Sequence, residues 1–556
     1  MIDDLCRLSI ADAAKLIEKR AISPLELTEA VLRRIESFNP KLDAFLTISA
    51  EQAKAQARAA EQEIVSGSYR GALHGIPIGL KDIYKTAGVR TTGHSRVFST
   101  YVPTHDATVV ARLREAGAVI VGKLATHEFA WGGPSLDLPW PPARNPWSLA
   151  HFTGGSSSGS ASALAARLIP AALGSDTGGS IRTPASLCGV TGFKPTYGLV
   201  SRAGVFPNSY SFDHCGPMAR TAEDCALLLE AMAGFDEDDP TTLSAPVPHY
   251  ASGLDGEIRG LRIGVIRHFW EEDAQQSEEF CKAMDAALDV LALLGALIED
   301  IRVAPLRHYR DVKMSISGPE TFATYQPYMQ RQPKDFGFDF RARILGCCLF
   351  SGSTYVQAQR ARRKLLTGMK PLYRRYDAFV TAASGPASRV DAFRSTNFWS
   401  KPNLYNPFNV TGGPAASICI GFSAGGLPMG MQVAGAPLAD QMALRIAHAY
   451  QQATAWHLKE PLLTPETPKT TLEIPMTADA GDVDQETREF ARQSATRAGL
   501  ELDDELYGQL FEAAPFALAM SRRIATDNPV ELEPASIFVV PGPGRSSDGT
   551  QAGGVG

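Results

Sequence analysis

Two clusters of small residues mark where this chain could do chemistry. The first is Thr153-Gly154-Gly155-Ser156-Ser157-Ser158-Gly159-Ser160, and the second is Gly174-Ser175-Asp176-Thr177-Gly178-Gly179-Ser180-Ile181-Arg182. Between them, Ala161 to Leu173 reads as a small-residue helix and a short strand. Glycine reaches positive φ without steric cost, so successive backbone N–H groups can converge on one point. Amides on Thr177, Gly178, Gly179 and Ser180, beside a serine hydroxyl, would suit the oxyanion of acyl transfer.

Other uses of such loops must be weighed. A phosphate cradle needs Gly-x-x-x-x-Gly-Lys-Ser/Thr, and neither cluster contains a lysine. A flexible linker would not have helix and strand patterns woven through it. Gly155-Ser156-Ser157-Ser158-Gly159 has the form of a Gly-x-Ser-x-Gly nucleophile elbow with Ser157 as nucleophile. That elbow must follow directly on a strand and needs a later acid and then a histidine. Asn145 to Phe152 contains Pro146 and no period-two pattern, and the later histidines sit in no distinctive context. On spacing alone, a serine-hydrolase site and another glycine-rich binding loop both remain open.

The elements that must position these clusters follow from periodicity. Ser23-Pro24-Leu25-Glu26 is a capping box with proline at the first helical position, and Leu27, Val31, Leu32 and Ile35 follow at helical spacing. A second helix runs from about Ala50 to Val65. Apolar runs at Ile76–Leu80, Ala118–Val121 and Ile169–Leu173 are separated by helix-like segments, as in an α/β sheet covered on both faces. A strand–helix–strand set spans Leu261–Ile266, Phe280–Leu294 and Leu297–Ile301. Ser417–Ile420 and Met429–Val433 are the last strands, before a helix near Gln441–Gln452. Pro461, Pro465 and Pro468 mark a linker over 461–480. A polar helical extension over 481–540 follows, and residues 541–556 read as a disordered tail.

The 556 residues can bury an enzyme-sized core. Charged residues make up 21% and the formal net charge is -6, which argues against a nucleic-acid surface. The acidic Met1-Ile2-Asp3-Asp4 start is unlike a signal peptide, and no apolar run is long enough to span a membrane. Eight cysteines without Cys-x-x-Cys spacing read as reduced thiols of a cytoplasmic protein. His127-Glu128 lacks the second histidine of a zinc motif, so no metal and no cofactor is expected.

Taken with Gly75-Ile76-Pro77-Ile78-Gly79-Leu80-Lys81-Asp82 and the block Cys188 to Gly198, the two clusters resemble the amidase signature family over roughly Leu8 to Glu460. Ser158 departs from the family's commonest form, which has glycine there. The resemblance implies one large mixed sheet between helix layers and no metal. It implies Ser180 as nucleophile, Ser156 as bridging serine and Lys81 as terminal base, with Gly155–Ser156 cis and an oxyanion hole of Thr177, Gly178 and Gly179. Lysine serves as a base only when neutral, and burial on the apolar strand would make it so. Ser157, Asp176 and Arg182 would brace the loop.

The segment His127 to Gly133 matches one lining the family's acyl pocket, with Trp131 and Gly132 against substrate. Trp131, Phe129 and Trp140 would form an aromatic wall. The implied reaction is cleavage of a small carboxamide, aryl or carbamoyl in type, through a seryl acyl-enzyme that releases ammonia or an amine. The expected partners are therefore a small-molecule amide and a homodimer mate, without membrane or nucleic acid. The alternative is the family's glutamine-hydrolysing subunit of a tRNA-dependent amidotransferase. Arg362 aligns with that subunit's carboxylate-binding arginine, but Asn397 to Tyr405 lacks the acid that would hold an ammonium. Ala491–Leu500 and Glu531–Ala535 resemble the small helical partner of such enzymes.

Overall fold

A computed structural model of the chain describes residues 2–474, 476, 481, 483–524 and 532–534. Among these, eleven strands form one mixed sheet. They are β1 (Phe45–Ile48), β2 (Pro77–Lys81), β3 (Val119–Leu124), β4 (Ala171–Asp176), β5 (Thr191–Lys194), β6 (His214–Ala219), β7 (Arg262–Val265), β8 (Leu297–Asp300), β9 (Ala378–Ala382), β10 (Ala415–Phe422) and β11 (Pro428–Ala434). Their spatial order is β1-β3-β2-β4-β6-β5-β10-β11-β9-β7-β8. β2 runs parallel to both β3 and β4, whereas β4 meets β6 antiparallel. The expected mixed sheet between helices is the observed fold.

Side chains alternate across a strand, so a sheet covered on both faces should split its residues between two cores. Val119 and Val121 pack in one apolar cluster and Ile120 in another. Ala172 likewise parts from Ala171 and Leu173. Helices Pro24–Leu42 and Ala50–Val65 supply the cluster beneath Val119 and Val121. The first of them begins with the capping box read from the sequence: Ser23 Oγ accepts from the Glu26 amide, and Glu26 accepts from the Ser23 amide.

A third apolar cluster stands apart from the sheet. Two C-terminal helices, Gln485–Arg497 and Asp504–Ile524, follow a segment without helix or strand over 461–474. Their Leu506, Leu510, Phe511 and Ala514 pack with Phe340, Ile344, Leu345 and Trp399 of preceding helical segments. Ion pairs Arg341–Glu505 at 3.1 Å and Arg523–Asp311 at 2.5 Å flank this packing. The expected tail at 541–556 lies outside the described residues. No described helix is long and apolar enough to cross a membrane.

Leu510 is fully buried where the C-terminal helices meet the body. Leu510→Ala should cost about 2–5 kcal/mol, the range for large-to-small core changes, measured by denaturant unfolding. A loss within a few tenths of a kcal/mol would mean that these helices are only loosely docked.

Candidate active site

Leu80 of β2 lies opposite Leu173 of the parallel β4. Lys81 ends β2 and Ser175 is the penultimate residue of β4, so both stand at the carboxyl end of these parallel strands, where open α/β sheets carry their sites. Lys81 is fully buried, and its Nζ donates to Ser156 Oγ at 2.6 Å and to Ser175 Oγ at 2.8 Å. Asp82, the next residue, is turned away. It accepts from the Thr92 amide at 2.9 Å and pairs with Lys123 at 3.5 Å. Burial pushes the Lys81 amine down to about 7, against the opposing pull of Asp176 and Asp213. Ser175 escaped the sequence reading, although it stands in the second cluster two residues after a strand core.

The Gly155–Ser156 bond is cis, as the resemblance implied. Ser156 is held through its carbonyl, which accepts from the His127 amide at 3.0 Å. Ser157 is fully buried and ties the two clusters together. Its amide donates to the Ser180 carbonyl at 3.1 Å, and its Oγ accepts from the Ser175 amide at 3.3 Å. No strand precedes it, so the elbow geometry is not formed. The helix Ser158–Ala165 then packs flush on the sheet: a Cβ on Gly159 would sit 2.4 Å from the Ala44 carbonyl oxygen.

The second loop is organised by Asp176 and Arg182, both fully buried. Arg182 grips the carboxylate with two bonds, Nε to Oδ2 at 2.9 Å and Nη2 to Oδ1 at 3.0 Å. Its remaining donors reach Asn409 Oδ1 at 2.7 Å, Gln432 Oε1 at 2.7 Å and the Tyr405 carbonyl at 3.2 Å. The guanidinium holds the Asp176 carboxyl well below the usual carboxylate range, despite burial. Asp176 in turn accepts from the Gly179 amide at 2.8 Å and the Ile181 amide at 3.2 Å. This corrects one expectation: the Gly179 N–H is spent on Asp176, and Gly179 does not line the cleft, whereas Thr177, Gly178 and Ser180 do.

The cleft above Ser156 and Ser180 has a volume of about 270 Å³. Trp131, buried to 2% exposure, forms one wall with Phe398, their rings 5.0 Å apart and edge-on. Gly132 accepts through its carbonyl from His127 Nδ1 at 2.7 Å. Burial lowers His127 to about 3, so the ring is neutral and that nitrogen carries the proton. The aromatic wall differs from the expected one. Phe129 stacks on Tyr325 at 4.5 Å in the third core cluster, and Trp140 packs against His94 and Arg90. Phe398 and Phe393 take their places in the cleft. Arg362 lines a separate cavity, donating to the Val410 carbonyl at 3.0 Å. The cations that do line the cleft are Arg310, Lys313, Arg343 and Lys401, which the sequence reading did not single out.

The fold and this serine- and lysine-bearing cleft are those of a hydrolase acting on carbon–nitrogen bonds. The sequence model described as Amidase matches residues 26–444, so the chain belongs to the amidase signature family. It is 38% identical over 488 residues to the A-type subunit of glutamyl-tRNA(Gln) amidotransferase from Geobacter metallireducens, a match covering 82% of this chain and 99% of that one. The crystal structure of the Thermotoga maritima subunit of the same name superposes with a TM-score of 0.68 at 33% identity, covering 81% and 95% of the two chains. The peptide amidase of Stenotrophomonas maltophilia gives 0.71 at 29%, covering 80% and 96%. These relatives correct the expected partners. A small-molecule amide, a homodimer mate and no nucleic acid do not describe proteins named as parts of a glutamyl-tRNA(Gln) amidotransferase.

Removing Arg182 would leave Asp176 as a buried charge without its partner. Arg182→Ala should therefore lower stability by about 3–5 kcal/mol. Denaturant unfolding reads this directly, and a loss below about 1 kcal/mol would show that water or Asn409 suffices.

Proposed function

We propose that the chain releases ammonia from a carboxamide through an ester on Ser180, as the amide-hydrolysing component of an amidotransferase-like assembly. The observation that carries this is the buried Lys81 amine, brought down to about 7 and bonded to Ser156 Oγ at 2.6 Å. A neutral amine there can accept the Ser156 proton, and a hydroxyl can accept from Ser180 while it gives to Lys81. In this reading Ser180 Oγ attacks the amide carbon, its proton passes to Ser156, and the Ser156 proton passes to Lys81. The oxyanion rests against the amides at Thr177, Gly178 and Ser180. Collapse breaks the C–N bond, the proton returns through Ser156 to the nitrogen, and ammonia leaves. Water then cleaves the ester by the same route.

The names of the relatives support the amidotransferase part of the reading, in which the chain works beside a tRNA in the cytoplasm. The C-terminal helices support it too. They lie beyond the match to the family, which ends at residue 444, and they pack on the helices that carry cleft residues Arg343 and Phe398. We read residues 1–460 as the catalytic unit and the helices after 480 as a partner-like module carried in the same chain.

Lys81 works only when neutral, and its amine gains a proton as pH falls below about 7. For ammonia release, kcat/KM should therefore rise with pH through about 7 and fall on the acid side. Lys81→Ala should abolish this limb with nearly all activity. A limb at the same pH in a residually active Lys81→Ala enzyme would assign the base to another group.

The covalent step is tested by mass spectrometry after quenching with an activated acyl substrate. The adduct should lie on the peptide containing Ser180 and be absent from Ser180→Ala. Because the two serines act as a unit, Ser156→Ala with Ser180→Ala should be hardly worse than Ser180→Ala alone. An adduct on Ser157 would overturn the assignment.

A further inference from the structure

Lys313 is a buried cation facing the cleft, and the described protein gives it little to hold. Its side chain is 5% exposed. Its Nζ lies 4.7 Å from the centre of the Trp131 ring and 5.7 Å from that of Phe398, and its one described hydrogen-bond acceptor is the Met314 thioether at 4.0 Å. An aromatic face favours a cation, but it does not replace a buried carboxylate or water. The carboxylates whose fields reach it are committed elsewhere. Asp176 is gripped by Arg182, and Asp213 accepts from Thr177 Oγ1 at 2.6 Å and from the Asn208 and Ser209 amides. Burial pushes the Lys313 amine down to about 8.

The rest of the cleft has the same sign. Arg343 stands over Phe398 at 4.3 Å and is anchored by Asp339 at 2.7 Å; Arg310 is held by Asp311 at 3.3 Å and the Ser400 carbonyl. Lys401 sits exposed at the rim. Neither aspartate nor glutamate is among the described residues lining the cleft. Lys313 also lies beside the loop that carries Ser180. A Cβ built on Gly178, in the loop beside Ser180, would lie 3.5 Å from Lys313 Nζ. An anion held by Lys313 would thus be only a few bonds from a carbonyl bound at that loop.

We propose that Lys313 is a specificity-determining residue that binds a carboxylate on the acyl part of the substrate, so that the cleft selects carboxamides with an anionic group close to the scissile carbonyl. This rests on the ammonia-releasing amidase reading above and narrows it. An α-ammonium like that of glutamine meets four cations and no acid in this cleft, and the aromatic faces that could receive it already face Lys313. Arg343, fixed by Asp339, adds to the field without needing to move.

The test uses the full chain and follows ammonia release from succinamate, its neutral counterpart butyramide, and glutamine. Wild type should show the highest kcat/KM on succinamate. Lys313→Met keeps the length and apolar contacts of the side chain, and should reduce the succinamate-to-butyramide ratio roughly 10- to 150-fold, the worth of a hydrogen bond to a charged group. Lys313→Arg should restore much of that ratio, and succinate should inhibit wild type more strongly than Lys313→Met. An unchanged ratio in Lys313→Met, or a wild-type preference for butyramide or glutamine, would overturn the inference while leaving the amidase reading intact. No ammonia from any of the three amides, with no ester on Ser180, would overturn the amidase reading and this inference with it.

Discussion

The bidentate pair between Asp176 and Arg182 is the contact on which the rest of the site depends. It joins the last residue of β4 to the first turn of the following helix, so the loop from Thr177 to Ser180 is closed at both ends by one buried ion pair. Burying two charges is costly unless every remaining donor and acceptor is satisfied. Here Asn409, Gln432 and the Tyr405 carbonyl also accept from the guanidinium, and the Gly179 and Ile181 amides and Asn409 Nδ2 donate to the carboxylate. The same contacts that satisfy the charges dictate the path of the loop. Asp176 is also one of the charges that act on Lys81, but its negative charge is answered by Arg182, which lets burial dominate the amine.

Much of this was legible in the sequence, for physical reasons that differ by element. β2, β3 and β4 were readable because strands buried on both faces appear as short apolar runs between turns. The two Gly/Ser clusters stood out because loops that bring backbone amides together need glycine and serine in tight succession, whereas the roles expected of Ser180, Ser156 and Lys81 came only from the resemblance to the family. β6 was not readable: His214 to Ala219 contains Gly216 and Pro217, residues that argue against a strand interior. The helix Leu306–Arg331, which carries Lys313, was hidden in the same way by Pro319 and Pro327 inside it. Local propensity speaks against these segments, and tertiary packing overrides it.

The cleft wall shows a further limit. Phe129 and Trp140 are close to Trp131 in sequence, and proximity suggested a common wall. The backbone turns at Phe129 and Ala130, both at positive φ, and this sends Phe129 into the core behind the cleft. The wall is instead completed by Phe393 and Phe398, more than 260 positions later, from a segment without strand or helical periodicity. Such partners can be seen only once the chain is folded. The Gly179 amide is a similar case: its residue type suits an oxyanion donor, but the direction of its N–H is decided by Asp176.

The C-terminal helices are joined to the sheet-bearing part of the protein by one continuous chain. Two separate chains that meet through the same surfaces would part on dilution, with a bound fraction set by their concentrations. A segment tethered in the same chain meets its seat at an effective concentration that does not depend on the amount of protein present. The support that Leu506, Leu510 and Phe511 give to the helices bearing Arg343 and Phe398 is therefore independent of dilution, and its stoichiometry is one to one in every molecule synthesised.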